Sequence, residues 1–513
     1  MKSLNLPLSL LFFSTSVQVA FADTATDVSF TDATELVALA IENNFGLEVS
    51  RLEVGIKDDN VDAEWGRFSP ILGVEIGVDQ VYRRQNAEEQ RNNIFSTATE
   101  TFEGERDYFT TTISGRLPFG TTYELSAGTS RNDNTYTAQS NTPFDPEYGS
   151  DVNLTITQPL LKNFGLNVGL APVNIAKSER EAAKHETKGA IEAVMARVLL
   201  ACYEMHFASE NVSVKTESID LANTLLEANQ KRVDQGRMSK IEVTQAEARV
   251  AEAQAEWVQA SSFFKERQSR LRELTQTRYD FDGEVYYFDS IENLLPLPNT
   301  IEEAESYAGE MLSNNPDFLA AIQKAETEGI RVAYTNNQRY PELNLRLSIG
   351  TSGLDDDFGS SYKDFETRDG PNWGVGLAFS MPFDNRTADA QHRASKRRES
   401  QALLRAKETE VQLLSALDVA IDTLQAGIER RRLISESVRL AEEALKSEEV
   451  RLANGVTTNN EVLNQQRELS VSRTQALAAE VEIYKAYLQL LLLQGTLSEH
   501  LGFQLEFAAN AQI

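Results

Sequence analysis

Two patterns of hydrophobic and polar positions alternate along the chain, one with a helical period and one with a strand period. In the long segments, apolar residues recur at three- and four-residue spacing, as at Val243, Ala246 and Val250. These segments are rich in strong helix formers and almost free of Pro and Gly. They predict helices over residues 31–67, 170–235, 239–278, 301–339, 386–454 and 459–501. At ~1.5 Å per residue the longest extend for roughly 100 Å, a length that requires coiled-coil partners.

The short segments alternate apolar and polar residues with a period of two, which predicts β-strands. One such segment spans residues 71–82, where Val74 and Ile76 share the apolar face. Comparable segments occupy residues 152–157, 343–350 and 373–381, and aromatic residues near the strand ends are Tyr82, Tyr108, Phe109 and Trp373. Their length, about 8–12 residues, suits strands that cross a bilayer at a tilt, with lipid on the apolar face. An ordinary half-buried antiparallel sheet shows the same alternation and remains an alternative.

The sequence contains two related halves. The number of residues between matching positions falls along the chain. The matched pairs are Asn44 with Asn315 and Pro70 with Pro341, both 271 residues apart, Pro159 with Pro382, 223 apart, and Gly236 with Gly455, 219 apart. A period this long indicates two pseudo-equivalent halves of one architecture, because solenoid units are much shorter. The drop from 271 to 223 means that the first half carries 48 additional residues between its matched strand regions.

These additional residues contain a further pair of alternating segments. Phe109 and Ile113 share a face before a tight turn at residues 118–121, and Leu125 follows the turn. The polar stretches 86–106, 132–149 and 351–371 are expected to be exposed loops, because outer-membrane barrels have short periplasmic turns and long outer loops. We therefore expect four strands from the first half and two from the second, six per protomer. The alternative is that residues 109–129 form an extracellular hairpin, which leaves four barrel strands per protomer.

The first 22 residues predict a signal peptide, since a short apolar stretch is followed by the small-residue site Ala20-Phe21-Ala22. No later segment contains the run of about eighteen consecutive apolar residues that a membrane-spanning helix needs. The single Cys202 cannot form an intramolecular disulfide and is interpreted as a buried helix residue. The formal charge of −29 argues against nucleic acid as a partner.

The predicted organisation is a signal peptide (1–22), a first structural repeat (23–280), a linker (281–300) and a second structural repeat (301–513). In each repeat a helix precedes the strands and a long helical hairpin follows them. The strands are expected at about 70–160 in the first repeat and at about 341–383 in the second.

The order of these features resembles the TolC-type outer-membrane efflux protein family over essentially the whole mature chain. The resemblance is carried by the strand end T-Q-P-L-L at residues 157–161 and its weaker counterpart S-M-P-F at 380–383. It is also carried by a motif present twice, R-x-x-x-G followed seven residues later by Val. The fold implied is a membrane α+β protein, namely a trimeric outer-membrane β-barrel continuous with a long periplasmic α-helical coiled-coil tunnel, formed by internally duplicated protomers. With six strands per protomer such a trimer would have eighteen strands, or twelve if residues 109–129 form an extracellular hairpin. Sequence reasoning agrees on assembly, because one protomer has too few strands to close a barrel and open edges cannot face lipid.

The resemblance implies a passive exit duct for a tripartite efflux pump or a type I secretion system. Its partners would be two further copies of the chain in a homotrimer, a periplasmic adaptor, an inner-membrane transporter and outer-membrane lipid. The cargo and the class of pump stay open. A periplasmic coiled-coil adaptor or scaffold without a membrane barrel is the alternative function, although it leaves the alternating strands unexplained.

The duplicated motif places candidate residues where each long helix is expected to reverse, and glycine supplies the left-handed conformation that ends a helix. By resemblance, the turn and adaptor-contact residues are Arg232, Gly236, Val243, Arg451, Gly455 and Val462. The resemblance also implies that the tunnel narrows at Glu461 and Asn464, where family members often have two acidic residues. Only Glu461 is acidic here, and the position of a latching arginine is occupied by Thr457. A solvated Glu461 at a helix start is the simpler alternative.

Catalysis is not predicted. The four histidines are scattered over predicted helices, and no metal-ligand pair, nucleophile motif or phosphate-binding glycine loop occurs in the sequence. We therefore expect no catalytic residue, no cofactor and no metal site.

Overall fold

A computed structural model describes residues 33–92, 100–138, 143–275, 278–281, 288, 295–298, 301–367 and 371–504. The predicted signal peptide (1–22) and most of the predicted linker (281–300) lie outside these residues.

Six strands and twelve helices occur in the described residues. The strands are β1 (Ile71–Arg84), β2 (Thr101–Arg116), β3 (Thr122–Asn134), β4 (Glu147–Pro159), β5 (Glu342–Asp355) and β6 (Asn372–Ser380). The four long helices are α5 (Ala171–Asp234), α6 (Lys240–Thr275), α10 (Arg386–Ala453) and α11 (Asn459–Gln494). The shorter helices are α1 (Ala33–Asn43), α2 (Phe45–Gly66), α3 (Ala87–Asn92), α4 (Leu166–Gly169), α7 (Ala304–Asn314), α8 (Pro316–Asn337), α9 (Phe358–Thr367) and α12 (Leu497–His500).

The predicted helices 170–235, 239–278 and 386–454 are confirmed to within a few residues by α5, α6 and α10. The prediction of one helix over 459–501 is wrong at its end, because Gly495 adopts a φ of +70° and terminates α11. The short α12 follows as a separate helix.

The single helices predicted over 31–67 and 301–339 are each broken by an asparagine. Asn44 and Asn315 have extended backbone and cap the following helix, accepting a hydrogen bond from the backbone N–H three residues on. Asn315 is also buried, and its Nδ2 donates to the carbonyl of Leu493 at 2.9 Å. The two halves therefore share one device, in which an Asn side chain restarts a helix.

Replacing Asn315 with alanine is expected to destabilise the protein more than replacing Asn44. Each change removes an N-cap, which costs about 0.5–2 kcal/mol. Asn315→Ala also leaves the Leu493 carbonyl without its donor, which adds about 1–3 kcal/mol. Thermal unfolding of the detergent-solubilised variants measures the difference, and equal shifts in Tm would contradict this assignment.

The six strands form one antiparallel sheet in chain order, from β1 at one edge to β6 at the other. β1 pairs with β2 along the whole length of β1, and β3 pairs with both β2 and β4. The prediction of four strands from the first half and two from the second is therefore confirmed for one protomer. The alternative of an extracellular hairpin at residues 109–129 is wrong, because those residues lie inside the sheet.

One face of the sheet is apolar, as predicted, and its residues are in register across all six strands. The central row is Leu72, Ile113, Leu125, Leu154, Ile349 and Trp373. Many of these side chains are exposed, including Leu72 at 66 % and Trp373 at 75 %. A continuous exposed apolar face of this kind is what a lipid-facing strand requires.

Tyr108 is an exception to the predicted aromatic ends. It pairs with Gly77 and lies on the polar face, where its ring occupies the space that a Cβ of Gly77 would fill. Its hydroxyl donates to Glu75 Oε1 at 3.2 Å. Strand alternation places Tyr108 on the face opposite to Phe109, and the lack of a side chain at Gly77 leaves room for its ring there.

The stretches predicted as loops contain more structure than expected. The strands continue past the apolar band, and α3 and α9 lie within residues 86–106 and 351–371. α9 packs against β4 and β5, where Ser361 Oγ lies 2.7 Å from Ser150 Oγ and Tyr148 contacts Phe358. The polar residues of these stretches therefore belong to strand ends and short helices that lie outside the apolar band, where they can face water.

The helices that adjoin the sheet pack side by side in an order that follows that of the strands. α2 packs on α5, α5 on α8, and α8 on α10. Since α2 leads into β1 and α10 follows β6, helices and sheet share the same two open edges. Farther from the sheet, α6 packs on α5, α5 on α11, and α11 on α10.

The main hydrophobic core lies near the middle of α5 and includes residues of α1, α10 and α11. Tyr203 and Tyr484 are buried there with ring centroids 5.5 Å apart. Cys202 is fully buried beside them, in agreement with its interpretation as a packing residue.

Within the described part of the chain, α10 contains an eighteen-residue stretch apolar enough to cross a membrane, although only 22 % of it is buried in the protomer. The sequence contains no run of about eighteen consecutive apolar residues, because polar residues interrupt this stretch. Its mean hydropathy is nevertheless high enough for a membrane span. Its exposed side chains include Val411 and Val419. One protomer therefore leaves a long apolar surface of α10 uncovered.

Candidate functional site

The two long helical hairpins reverse at glycines, as the duplicated motif predicts. Gly236 has a φ of +71° and Gly455 a φ of +72°. At the first turn the Arg237 N–H donates to the carbonyl of Arg232 at 2.8 Å, and at the second the Val456 N–H donates to that of Arg451 at 2.9 Å. This six-to-one hydrogen bond with a left-handed glycine is the Schellman ending, which permits a sharp reversal.

The two valines of the motif lie inside the hairpins. Val243 is buried on α6, and Val462 is 1 % exposed on α11. Val462 packs in a small core with residues from α5, α10 and α11, which are Leu225, Leu445, Leu452, Leu463 and Leu469. Val462 therefore joins the second hairpin to α5 of the first hairpin behind the turns.

Glu461 and Asn464 are exposed on the first two turns of α11. Because they are three residues apart, they share one face of the helix. That face is exposed, whereas Val462 is buried. Arg451 is exposed and pairs with Glu448 at 2.9 Å, whereas Arg232 is half-buried. The structure thus brings together Glu461 and Asn464, and it places the arginines one turn before the reversal.

A buried polar contact joins the two hairpins and was missed by sequence reasoning. Asn229 Nδ2 donates to Asn459 Oδ1 at 2.9 Å, and both residues are at most 2 % exposed. Asn459, the first residue of α11, also donates to the carbonyl of Glu242 on α6 at 3.4 Å. Because a buried amide without partners is costly, this contact fixes the relative position of the tips. The sequence could have indicated the burial of Asn229, because it follows Leu225 by one helical turn and so lies on the same buried face of α5.

Charged contacts continue this link along the hairpins. Lys215 on α5 binds both Glu256 on α6 and Ser470 on α11, each at 3.1 Å. Arg467 on α11 binds Glu252 on α6 at 2.7 Å, and this hydrogen bond holds the pKa of Glu252 below its usual value. The side chains of Arg467 and Glu252 are nearly half exposed, so that their ion pair alone contributes little to stability. Lys215 is only 15 % exposed, and its contacts are the better shielded from water.

The polar face of the sheet is the second candidate surface. A row of residues toward the outer loops has two carboxylates, Glu75 on β1 and Asp151 on β4. Both are hydrogen-bonded, Glu75 by the Tyr108 hydroxyl and Asp151 by Asn153 Nδ2 at 2.9 Å. Nearer the helices, another row includes Arg116 and Arg346.

A group of three carboxylates close enough to share an ion, Asp355, Asp356 and Asp357, occurs among the described residues at the end of β5. They are consecutive and largely exposed, and such acidic groups are common without a metal. No other observation on these residues indicates a ligand.

Comparison with known proteins gives consistent similarities. A profile of the family described as "Outer membrane efflux protein" matches residues 119–276 and 308–496, together more than half of the chain. The cobalt-zinc-cadmium resistance protein CzcC of Cupriavidus metallidurans is 22 % identical over 321 residues, which cover 62 % of this chain and 71 % of that protein.

Solved structures share the fold at low sequence identity. The outer-membrane channel OprN superposes with a TM-score of 0.63 at 16 % identity, covering 90 % of this chain and 89 % of that one. The outer membrane protein VceC of Vibrio cholerae gives a TM-score of 0.59 at 17 % identity, covering 90 % and 96 %.

Proposed function

Because the chain belongs to the outer membrane efflux protein family, we propose that three copies close head to tail into an exit duct served by a periplasmic adaptor and an inner-membrane transporter. The chain is an outer-membrane efflux channel with a periplasmic helical extension. The predicted family and fold class are thereby confirmed. The family consists of non-enzymatic transport proteins, so the prediction that the chain is not an enzyme is confirmed as well.

The observation that carries the trimer proposal is the pair of open edges. β1 with α2 forms one edge and β6 with α10 the other, and strand edges cannot face lipid unpaired. Since the two edges differ, one copy must contact the next through unlike surfaces, which closes into a ring. Channels of this family form trimers in tripartite pumps, and three six-stranded sheets give an eighteen-stranded barrel.

The helices at these edges have matching apolar surfaces. α2 exposes a stripe at helical spacing, which consists of Phe45, Val49, Leu52 and Ile56. On α10, Leu404 and Val411 are exposed at a comparable distance from the sheet. Val49 lies 17 residues from the end of α2 and Leu404 lies 18 from the start of α10, so both are about 25–27 Å from the barrel end.

Cysteines at Val49 and Leu404 in one chain are therefore expected to form disulfides between neighbouring copies. Oxidation of the V49C/L404C variant should give covalent trimers on denaturing gels, and buried Cys202 should not interfere. Each single variant is the control and should stay monomeric on the gel. Dimers from V49C alone would contradict the head-to-tail arrangement, and monomers from the double variant would contradict the pairing of α2 with α10.

The tips are the surface that we propose for the adaptor. Val456, next to Gly455, and Ile241, in the first turn of α6, are exposed at 67 % and 63 %, and exposed apolar side chains at the tips suit a protein partner. Arg232, Gly236, Arg451 and Gly455 shape these tips, while Val243 and Val462 support them from inside. An adaptor that bound equally well after Val456→Glu and Ile241→Glu would contradict this placement.

We propose that Glu461 lines the narrow end of the tunnel, where three copies would attract cations. Glu461→Gln is expected to lower the permeability of cations relative to anions in planar bilayers. Glu242, at the equivalent position of the first hairpin, provides the matched control, and Glu242→Gln should change this ratio less. Equal effects of both substitutions, or no effect of Glu461→Gln, would contradict the proposal that Glu461 lines the constriction.

A further inference from the structure

A row of the polar face near the helical end of the sheet contains arginine as its only charged residue. Arg116 on β2, Thr122 on β3, Thr157 on β4, Arg346 on β5 and Gly376 on β6 are aligned by strand register. The row lies close to the strand ends, since Arg116 is the last residue of β2. In a chain with a formal charge of −29, a row with only positive charge is unusual.

Both guanidinium groups are exposed, and neither has a hydrogen-bond or ion-pair partner in the part of the chain that the structure describes. Nearby carboxylates of the described residues form no ion pair with them. Glu342 is paired with Lys162 at 2.8 Å, and Glu124 lies one row away without an ion pair to either arginine. The carboxylates farther along the same face, Glu75 and Asp151, both accept hydrogen bonds. The arginines therefore keep their donors available.

The positions of the two strands give the arginines a regular arrangement in the assembly. β2 and β5 are three strands apart in the sheet, about 14 Å across the strands. In the proposed trimer, β2 of the next copy again follows β5 by three strands. Six guanidinium groups would then occupy every third strand around the barrel, on the face turned away from lipid.

We propose that Arg116 and Arg346 form an anion-binding ring inside the barrel, near its periplasmic end, which takes multiply charged oxyanions. The inference rests on the proposed trimer. Guanidinium binds phosphate and carboxylate oxygens through paired N–H donors and stays charged at all relevant pH values. A ring of like charges within a low-dielectric wall also concentrates counter-ions in the lumen. Thr122 and Thr157 add hydroxyl donors to the same row.

The test measures binding of inositol hexakisphosphate to purified trimers in neutral detergent at low ionic strength, by equilibrium dialysis. The double variant R116Q/R346Q is expected to bind at least about tenfold more weakly, because it loses every charged donor of the ring. R116K/R346K keeps the charge and should retain most of the affinity. Glu124→Gln removes the nearest carboxylate of this face and should strengthen binding.

Two controls separate this ring from other positive groups. Arg106 lies on the same face in a row with Asp79, and R106Q should leave binding unchanged. Arg397 and Arg398 are exposed on α10 outside the sheet, and R397Q/R398Q should also leave it unchanged. Affinity that survives in R116Q/R346Q, or that falls equally in either control, would overturn the proposal.

The trimers are checked by their heat-modifiable migration and by the V49C/L404C cross-link. If the protein forms no trimers, both the proposed trimeric duct and the anion-binding ring are contradicted. Trimers whose anion binding ignores Arg116 and Arg346 contradict only the ring.

Discussion

Replacing Leu125 with arginine is expected to prevent most of the protein from assembling in the outer membrane. Leu125 lies in the central row of the apolar face, with about equal numbers of apolar rows on either side. An arginine facing lipid at the bilayer midplane costs about 2–4 kcal/mol, and each trimer contains three copies of the change. The fraction recovered as heat-modifiable trimer should fall at least about tenfold, since every 1.4 kcal/mol is a factor of ten.

Ser126 provides the matched control because it is the next residue of β3 and points to the opposite face. It is aligned with Thr112 and Asn153, and its arginine would extend into water. Ser126→Arg is therefore expected to assemble nearly as well as the unaltered protein. If the two variants assembled equally, the apolar face would not be the lipid-facing one.

Removal of residues 86–133 is expected to narrow the barrel without destroying it. These 48 residues include all of β2 and nearly all of β3, and β1 and β4 are antiparallel, so they can pair as β5 and β6 do. The trimer would then have twelve strands. Because barrel diameter grows roughly linearly with strand number, the cross-section should fall to about four-ninths of its original area.

The narrowing can be measured from outside the cell, independently of the periplasmic constriction. The largest poly(ethylene glycol) that enters the lumen from the extracellular side should be smaller for the shortened protein. Removal of residues 136–145, between β3 and β4, shortens a connection and removes no strand, so the size limit should stay the same. An unchanged limit after loss of residues 86–133 in intact trimers would mean that β2 and β3 do not enter the closed barrel.

The strands could be predicted from the sequence because lipid on one side and water on the other impose a strict period of two. Ile113 and Leu125 follow that period and were assigned to the correct face. The position of Tyr108 could not be predicted, since an aromatic residue suits both a membrane interface and a gap left by glycine. Only the register with Gly77 decides between them.

The turn glycines could be predicted for a similar reason, because few residues other than glycine tolerate the backbone conformation found at Gly236 and Gly455. The contact between Asn229 and Asn459 could not. An asparagine on a long helix usually faces water, and the two residues are 230 positions apart. The breaks at Asn44 and Asn315 were missed because the helical pattern continues on both sides of each cap.

The difference between the two open edges has a genetic consequence. A chain damaged only on its β1 and α2 edge still offers a normal β6 and α10 edge to another copy, so that it can enter a ring and interrupt it. With equal amounts of damaged and intact chains, only about one ring in eight would consist of intact chains alone. Alleles that alter one edge should therefore be dominant over the wild type, whereas alleles that abolish the whole chain should be recessive.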